Sequence, residues 1–150
     1  MALVIRPIKE SDLKDLARIE AESFSTPWSE NSFRELLEID YARYLTAELD
    51  GKVVGSAGMR IVCGEGDIDN VVVDEGYRGR GIAGKLLETL IALGEAEGVK
   101  DFTLEVRVSN KAAIRVYERA GFVSEGIRPH FYEKPTEDAS IMWRRAGAER

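Results

Sequence analysis

The chain has few of the residues from which disulfides and metal sites are built. It contains one cysteine, Cys63, and one histidine, His130. A single cysteine cannot form an internal disulfide, and a single histidine cannot make a metal cluster by itself, so we expect no metal centre. Cys63 lies in an apolar stretch, which favours a buried side chain that behaves as a small hydrophobic residue.

Long apolar runs and an excess of basic charge are also missing. No run is long enough to cross a bilayer, and the first residues lack the layout of a signal peptide, so we expect a cytoplasmic protein with no membrane partner. The net charge of -6 at pH 7 disfavours nonspecific binding to nucleic acids. That charge would suit a cationic substrate such as an amine or a basic peptide, although solubility alone is the simpler explanation.

The residues that are present indicate one folded domain. Of the 150 residues, 44% are hydrophobic and 32% are charged, which is typical of globular chains, and no linker or repeat divides them. We therefore predict a single domain over residues 1–150. Hydrophobic spacing predicts an α+β domain with the order β-α-α-β-β-β-α-β-α-β-β. The predicted strands are 2–6, 44–49, 53–62, 67–73, 102–108, 122–126 and 139–143, with turns at 50–51 and 65–66 and a loop at 128–137.

A glycine-rich segment between the fourth strand and the third helix is the most informative part of the sequence. Strand, glycine loop and helix together direct backbone N–H groups and the positive end of a helix towards a phosphate. Gly79, Gly81 and Gly84 satisfy the dinucleotide fingerprint G-x-G-x-x-G. The stretch from Gly79 to Lys85 also satisfies the first seven positions of the P-loop pattern.

Both of these motifs lack their usual context here. A P-loop needs Ser or Thr where this chain has Leu86. The dinucleotide fingerprint directly follows its strand in a βαβ series, whereas residues 74–78 intervene and the preceding strands read as hairpins. A third motif, Arg78-x-x-Gly81-x-Ala83, resembles the pyrophosphate-binding motif of the GNAT superfamily of acyl-CoA N-acyltransferases. A tight turn without any ligand is the plain alternative.

The resemblance extends along nearly the whole chain. Residues 110–122 are similar to the family element N-x-x-A-x-x-x-Y-x-x-x-G-F, and the segments 130–132 and 137–142 resemble the closing motif of the RimI-type protein N-terminal acetyltransferases. That group also tends to carry a segment like Pro27-Trp28-Ser29 between its first two helices. Arg78 stands where many relatives have Gln, and Phe131 stands where many have Tyr. The resemblance implies the GNAT fold, which is a central mixed, mostly antiparallel sheet flanked by helices.

The same resemblance implies that acetyl-CoA is the co-substrate. Backbone groups of the glycine loop would hold its pyrophosphate, and the valine-rich strand would pair with its pantetheine arm. The break in alternation along this strand fits either a bulge or two buried faces. The residues implied in binding acetyl-CoA are Val71, Val72, Val73, Arg78, Gly79, Arg80, Gly81, Ile82, Ala83, Asn110 and Tyr117.

Two residues carry the implied chemistry of direct attack by an amine on the thioester. In the RimI-type group a glutamate at the position of Glu105 is the proposed general base, acting through water, and a tyrosine at the position of Tyr117 is the general acid for the leaving thiolate. From the strand pattern alone, Glu105 is a solvated residue paired with Arg107. From helical spacing alone, Tyr117 is a core aromatic residue, and Asn110 is a helix N-cap.

The acceptor is expected to enter between Trp28, Tyr132 and the loop around His130, although each of these could be ordinary surface packing. The resemblance implies acetyl transfer to a protein N-terminal α-amine, such as the N-terminal alanine of a ribosomal protein. Two alternatives stay open, namely a GNAT acetyltransferase for a small-molecule amine and a non-catalytic acyl-CoA sensor. None of the three involves a nucleic acid partner.

Overall fold

A computed structural model describes residues 2–147 of the chain. Within this range the elements follow the predicted order, with the bounds β1 (Leu3–Pro7), α1 (Leu13–Ser23), α2 (Glu30–Leu36), β2 (Ala42–Leu49), β3 (Lys52–Val62), β4 (Glu65–Val73), α3 (Ile82–Ala96), β5 (Asp101–Arg107), α4 (Lys111–Arg119), β6 (Val123–Tyr132) and β7 (Glu137–Arg144). Short 3-10 turns, Glu10–Asp12 and Glu75–Tyr77, precede α1 and follow β4. Among these residues, no helix combines the length and apolar character that crossing a membrane would take.

The seven strands form one sheet in the order β1-β2-β3-β4-β5-β7-β6. Every neighbouring pair is antiparallel except β4 and β5, which are parallel. This confirms the predicted α+β class with a mixed, mostly antiparallel sheet. The parallel pair is short, because its register runs only from Glu65 opposite Asp101 to Asp67 opposite Thr103. Beyond that point β4 and β5 separate, and the sheet opens between them.

Helices cover both faces of the sheet, and the central strand β4 contributes to both cores. Val73 is buried in a cluster with residues of α3 and α4, whereas Val72 is buried in a second cluster with residues of α1 and α2. The register between β3 and β4 shifts so that Asp69 is an extra residue in β4, which is a bulge. Both explanations of the broken alternation therefore hold, with the bulge just before the valine run and two buried faces along it.

Close packing of α3 on the sheet depends on a glycine. The helix buries Leu86, Leu87 and Leu90 completely, and its Gly94 lies against the ring of Phe102 in β5. A Cβ atom at position 94 would come within 2.8 Å of that ring, so a larger residue would push the helix away from β5. The helix therefore holds the glycine loop at its N-terminus firmly above the sheet.

Three sequence-based expectations are wrong. The loop expected at 128–137 begins later, because β6 extends to Tyr132 and pairs with β7 around an irregular stretch between Arg128 and Tyr132. This edge strand is exposed almost throughout, so it has no hydrophobic alternation by which the sequence could reveal it. Cys63 is exposed rather than buried, because it forms with Gly64 the tight turn between β3 and β4, where its φ is 51°. The turn therefore comes before residues 65–66, which begin β4.

Candidate active site

The opening between β4 and β5 forms a cleft of about 690 Å³. Its floor consists of β4 and β5 beyond their last paired residues. One wall is the loop between α1 and α2, and the other is the β6–β7 hairpin, while the start of α4 closes one end. The residues that line it include Glu20, Trp28, Asn70, Val71, Glu105, Asn110, Tyr117 and Tyr132.

The geometry of the glycine loop suits an anion. Gly79 and Gly81 have φ values of 78° and 79°, which other residues adopt only with strain. Gly81 is the N-cap of the 15-residue helix α3, and no side chain caps this end. The first N–H groups of a helix have no partner inside it, and the space above both glycines is open within 4 Å. Uncapped N–H groups beside open space favour a phosphate.

The two arginines of the loop have structural partners. The guanidinium of Arg78 donates to the backbone carbonyl of Val73 and to the hydroxyl of Ser23, both at 3.0 Å. The guanidinium of Arg80 lies 5.0 Å from the centre of the Tyr77 ring. Arg78 therefore ties the loop to the end of β4 and to α1, a role that the sequence motif does not reveal.

Glu105 lies on the cleft face of β5, as the alternation of the strand predicts. Phe102, Leu104 and Val106 point into the core, and the Glu105 side chain is 23% exposed, with its carboxylate 3.5 Å from the Arg128 guanidinium. Burial raises the pKa of Glu105, the charge of Asp67 raises it further, and Arg128 opposes both effects.

The simple alternative for Glu105, a pair with Arg107, is wrong. The Arg107 guanidinium contacts the carboxylate of Glu137 at 3.1 Å and also donates to two backbone carbonyls of the β6–β7 turn. Arg107 is therefore committed to holding the hairpin that forms one wall of the cleft. The partner of Glu105 is instead Arg128 on β6, which is more exposed and lies at a longer distance of 3.5 Å.

Tyr117 is a core residue that also reaches the cleft. Its ring packs 6.1 Å from the ring of Phe122, and the residue is 9% exposed. Its hydroxyl has no hydrogen-bond partner among the described residues, and it lines the cleft. Burial raises the pKa of the Tyr117 phenol, so the group is protonated at neutral pH and can donate a proton. Asn110 caps α4 by accepting from the N–H of Ala113, and it faces the same cleft.

The structure brings Trp28 and Tyr132 to the cleft but not His130. Trp28 packs against the rings of Phe33 and Tyr44 at 5.4 and 5.8 Å. Tyr132 lies under the Arg107 guanidinium at 4.5 Å, and burial, with the charge of Glu105, raises its pKa to about 12. His130 is exposed on β6 and does not line the cleft, because the irregular stretch of β6 breaks the two-residue period that would align it with Tyr132.

Sequence reasoning missed a polar group at the base of the cleft. Glu20 of α1 is 1% exposed and accepts hydrogen bonds from the Trp28 backbone N–H and the Asn70 side chain. Burial raises its pKa. The signal was a charged residue on the apolar stripe of α1, seven positions after Leu13 and four after Leu16.

A second missed group lies on the bulge of β4. The hydroxyl of Tyr44 donates to the carboxylate of Asp69, which also pairs with Arg60 at 3.0 Å. Burial raises the pKa of Asp69. Because a bulge interrupts the two-residue alternation of a strand, the direction of the Asp69 side chain could not be predicted from the sequence.

Comparison with known proteins agrees with this geometry. Residues 13–122 match the model of the Acetyltransferase (GNAT) family. The [ribosomal protein bS18]-alanine N-acetyltransferase of Escherichia coli is 38% identical over 144 residues, which cover 92% of this chain and 94% of that protein. The crystal structure of the ribosomal-protein-S18-alanine N-acetyltransferase from Escherichia coli superposes with a TM-score of 0.89 at 32% identity, over 99% of this chain and 97% of that one.

Another solved structure contains ligands. The NatC complex bound to Gag peptide and CoA contains a chain that superposes with a TM-score of 0.82 at 25% identity, over 97% of this chain and 99% of that one. The fold, the cleft and the family match lead to one assignment. The chain belongs to the GNAT family and is an acetyl-CoA-dependent N-acetyltransferase.

Proposed function

We propose that the protein transfers the acetyl group of acetyl-CoA to the N-terminal α-amine of a protein, such as the N-terminal alanine of a ribosomal protein. The observation that carries this proposal is the cleft between β4 and β5, which Glu105 faces from one strand and Tyr117 faces from α4. The name of the Escherichia coli relative supports the choice of a ribosomal acceptor.

The residues of the cleft fit the co-substrate, whose thioester supplies the acetyl group. Beyond Asp67 the edge of β4 that faces β5 has no strand partner. The Val73 carbonyl accepts from Arg78, and the other backbone groups of Val71, Val72 and Val73 that point to this edge are available to the amides of a pantetheine arm. One N–H there would donate to the thioester carbonyl. Backbone N–H groups from Arg78 to Ala83 would hold the pyrophosphate at the start of α3.

Proton transfer falls to Glu105 and Tyr117. In the deprotonated form Glu105 accepts one proton of the incoming ammonium through a water molecule, and the neutral amine attacks the thioester carbon to form the C–N bond. As the C–S bond breaks, Tyr117 donates its proton to the departing thiolate, and the second proton of the attacking nitrogen is released and restores the phenol. An N-terminal amine has a reference pKa near 8, compared with about 10.4 for lysine. A carboxylate is therefore a sufficient base for an N-terminus, which favours that acceptor over a lysine side chain.

The two walls of the cleft suit a peptide as the acceptor. Trp28 and Tyr132 face the cleft from opposite walls, and both can pack against the first residues of an extended chain. Of the charged residues that line the cleft besides Glu20, Asp69, Glu105 and Glu137 are acidic and Arg107 and Lys134 are basic, so the balance of charge favours an ammonium group.

A peptide panel tests the proposal directly. Release of the CoA thiol is followed with acetyl-CoA and peptides that begin with Ala, Ser or Gly, the same peptides blocked at the N-terminus, and a set of small amines. Turnover with free N-termini alone supports the proposal. Release only with small amines would identify a small-molecule acetyltransferase, and tight CoA binding without turnover would identify a sensor.

The Tyr117→Phe variant tests the role of the acid in the same assay. We expect kcat to fall about 100-fold or more, the range of general acid catalysis, while affinity for CoA changes little. Because the hydroxyl bonds no described residue, the melting temperature should stay near that of the wild type. Tyr41→Phe, which changes an exposed tyrosine outside the cleft, is the matched control, and wild-type turnover in Tyr117→Phe would contradict the assignment.

A further inference from the structure

Glu20 is a buried carboxylate that neither the proton transfers nor the binding of CoA uses. It is 1% exposed, and no described Arg, Lys or His lies within ion-pair distance of it. Removing a charge from water is costly unless it is fully hydrogen-bonded. A leucine at position 20 would continue the apolar stripe of α1 without that cost, so the carboxylate needs an explanation other than packing.

The two oxygens of Glu20 hold two separate parts of the cleft together. Oε1 accepts from the backbone N–H of Trp28 at 3.1 Å, and Oε2 accepts from the side-chain amide of Asn70 at 2.9 Å. Trp28 belongs to the α1–α2 loop, whereas Asn70 lies on β4 next to the bulge at Asp69. Glu20 therefore bridges one wall of the cleft to its floor.

The α1–α2 loop has little else to hold it. Among the described residues, the N–H of Trp28 is the one backbone donor between positions 25 and 28 with a hydrogen-bond partner, and that partner is Glu20. Phe24, at the start of the loop, is 41% exposed. The Trp28 ring contacts Phe33 and Tyr44, and the hydrogen bond to Glu20 holds the backbone that carries this ring.

We propose that Glu20 is a positioning residue for the acceptor, which sets the distance between Trp28 and the floor of the cleft and thereby the affinity for the peptide. This inference rests on the proposed function, because it assumes that the acceptor binds along that wall. Glu20 acts through Trp28 and Asn70, so it affects the acceptor end and leaves the glycine loop unchanged.

Two substitutions separate position from charge. Glu20→Ala removes both hydrogen bonds. Glu20→Gln keeps an oxygen for the Trp28 N–H, and its amide can pair with a flipped Asn70 side chain. Glu22→Ala is the matched control, because Glu22 lies on the same helix and its side chain is 51% exposed.

Steady-state kinetics with each substrate varied in turn give the first readout. For Glu20→Ala we expect the KM for the peptide to rise about 10- to 100-fold, as a misplaced binding wall produces, with the KM for acetyl-CoA within about twofold. Glu20→Gln should recover most of the peptide affinity, and Glu22→Ala should match the wild type. In a Trp28→Ala background, Glu20→Ala should add little, because both act on one wall.

Quenching of Trp28 fluorescence by acrylamide, in a Trp143→Phe background, gives a readout that needs no turnover. Glu20→Ala should increase the quenching, and Glu20→Gln should not. The inference is overturned if Glu20→Gln is as impaired as Glu20→Ala, if both KM values rise equally, or if quenching is unchanged. If the wild type acetylates no peptide, the proposed function fails, and the quenching experiment still decides whether Glu20 positions the loop.

Discussion

Glu105 lies between two charges of opposite sign, and that placement determines when its carboxyl can act as a base. Burial and the neighbouring Asp67 raise its pKa, whereas Arg128 on β6 lowers it. The Arg128 side chain is 54% exposed and 3.5 Å away, so solvent weakens its effect. The pKa of Glu105 therefore depends on burial and on two charged partners, Arg128 and Asp67, that substitution can remove.

The Arg128→Met variant tests this balance. Because Arg128 favours the charged form of Glu105, its loss should raise the pKa, and the decline of kcat/KM at low pH should begin at a higher pH than in the wild type. Asp67→Asn should move the same limb of the profile to lower pH. The measurement is kcat/KM for a peptide against pH.

Two controls make the profile specific to Glu105. Arg34→Met, which alters an exposed arginine on α2, should leave the profile unchanged. Glu105→Gln should lower kcat/KM about 100-fold or more. Adding Arg128→Met to Glu105→Gln should not shift the pH profile of kcat/KM any further. A profile that moves equally with and without Glu105 would assign the titration to another group.

At the scale of single elements, two glycines of the loop region allow the effect of backbone strain to be measured apart from the effect of ligand contact. Gly81 has a φ of 79°, whereas Gly84, three residues later, lies in the first turn of α3, and both have open space where a Cβ atom would be. One added methyl group therefore has opposite effects on stability at the two positions, although it enters free space at both.

We expect Gly81→Ala to lower the free energy of unfolding by about 1 kcal/mol, the cost of a left-handed conformation, and to weaken CoA binding at least tenfold, because the N–H groups of the helix start move. Gly84→Ala should raise the free energy of unfolding by about 1 kcal/mol through helix propensity and leave CoA affinity within about threefold. Chemical denaturation and calorimetric titration with CoA measure both quantities. Unchanged affinity in Gly81→Ala would remove the loop from the binding site.

Elements with strong periodicity could be predicted from the sequence, and those without it could not. The stripe Leu86, Leu87 and Leu90 identifies α3, and the alternation of β5 places Glu105 on the polar face. The edge strand β6 has no buried face, so its last five residues, from Arg128 to Tyr132, read as a loop. The irregular pairing there also explains why His130 and Tyr132, two residues apart, do not share the cleft.

At the scale of the whole molecule, the site arises where the sheet fails to close. The parallel strands β4 and β5 pair over three residues and do not pair beyond that point. The glycine motif beside this opening could be recognised from the sequence, because its residues are close together along the chain. The bridge from Glu20 to Trp28 and Asn70 joins residues up to 50 positions apart, and no local pattern predicts such a contact.

The same architecture predicts which nucleotide stabilises the fold. A ligand held by both the glycine loop and the open edge of β4 needs a pyrophosphate and an extended amide-bearing arm, and CoA has both, whereas NAD has only the first. At about 100 times its dissociation constant a ligand adds about 2.7 kcal/mol of stability, so CoA should raise the melting temperature by about 5 to 10 °C. ADP and NAD, which carry a pyrophosphate but lack the arm, should each give a smaller increase at the same concentration. A shift with NAD equal to that with CoA would mean that the pyrophosphate alone is recognised, and the open edge of β4 would then have no part in binding.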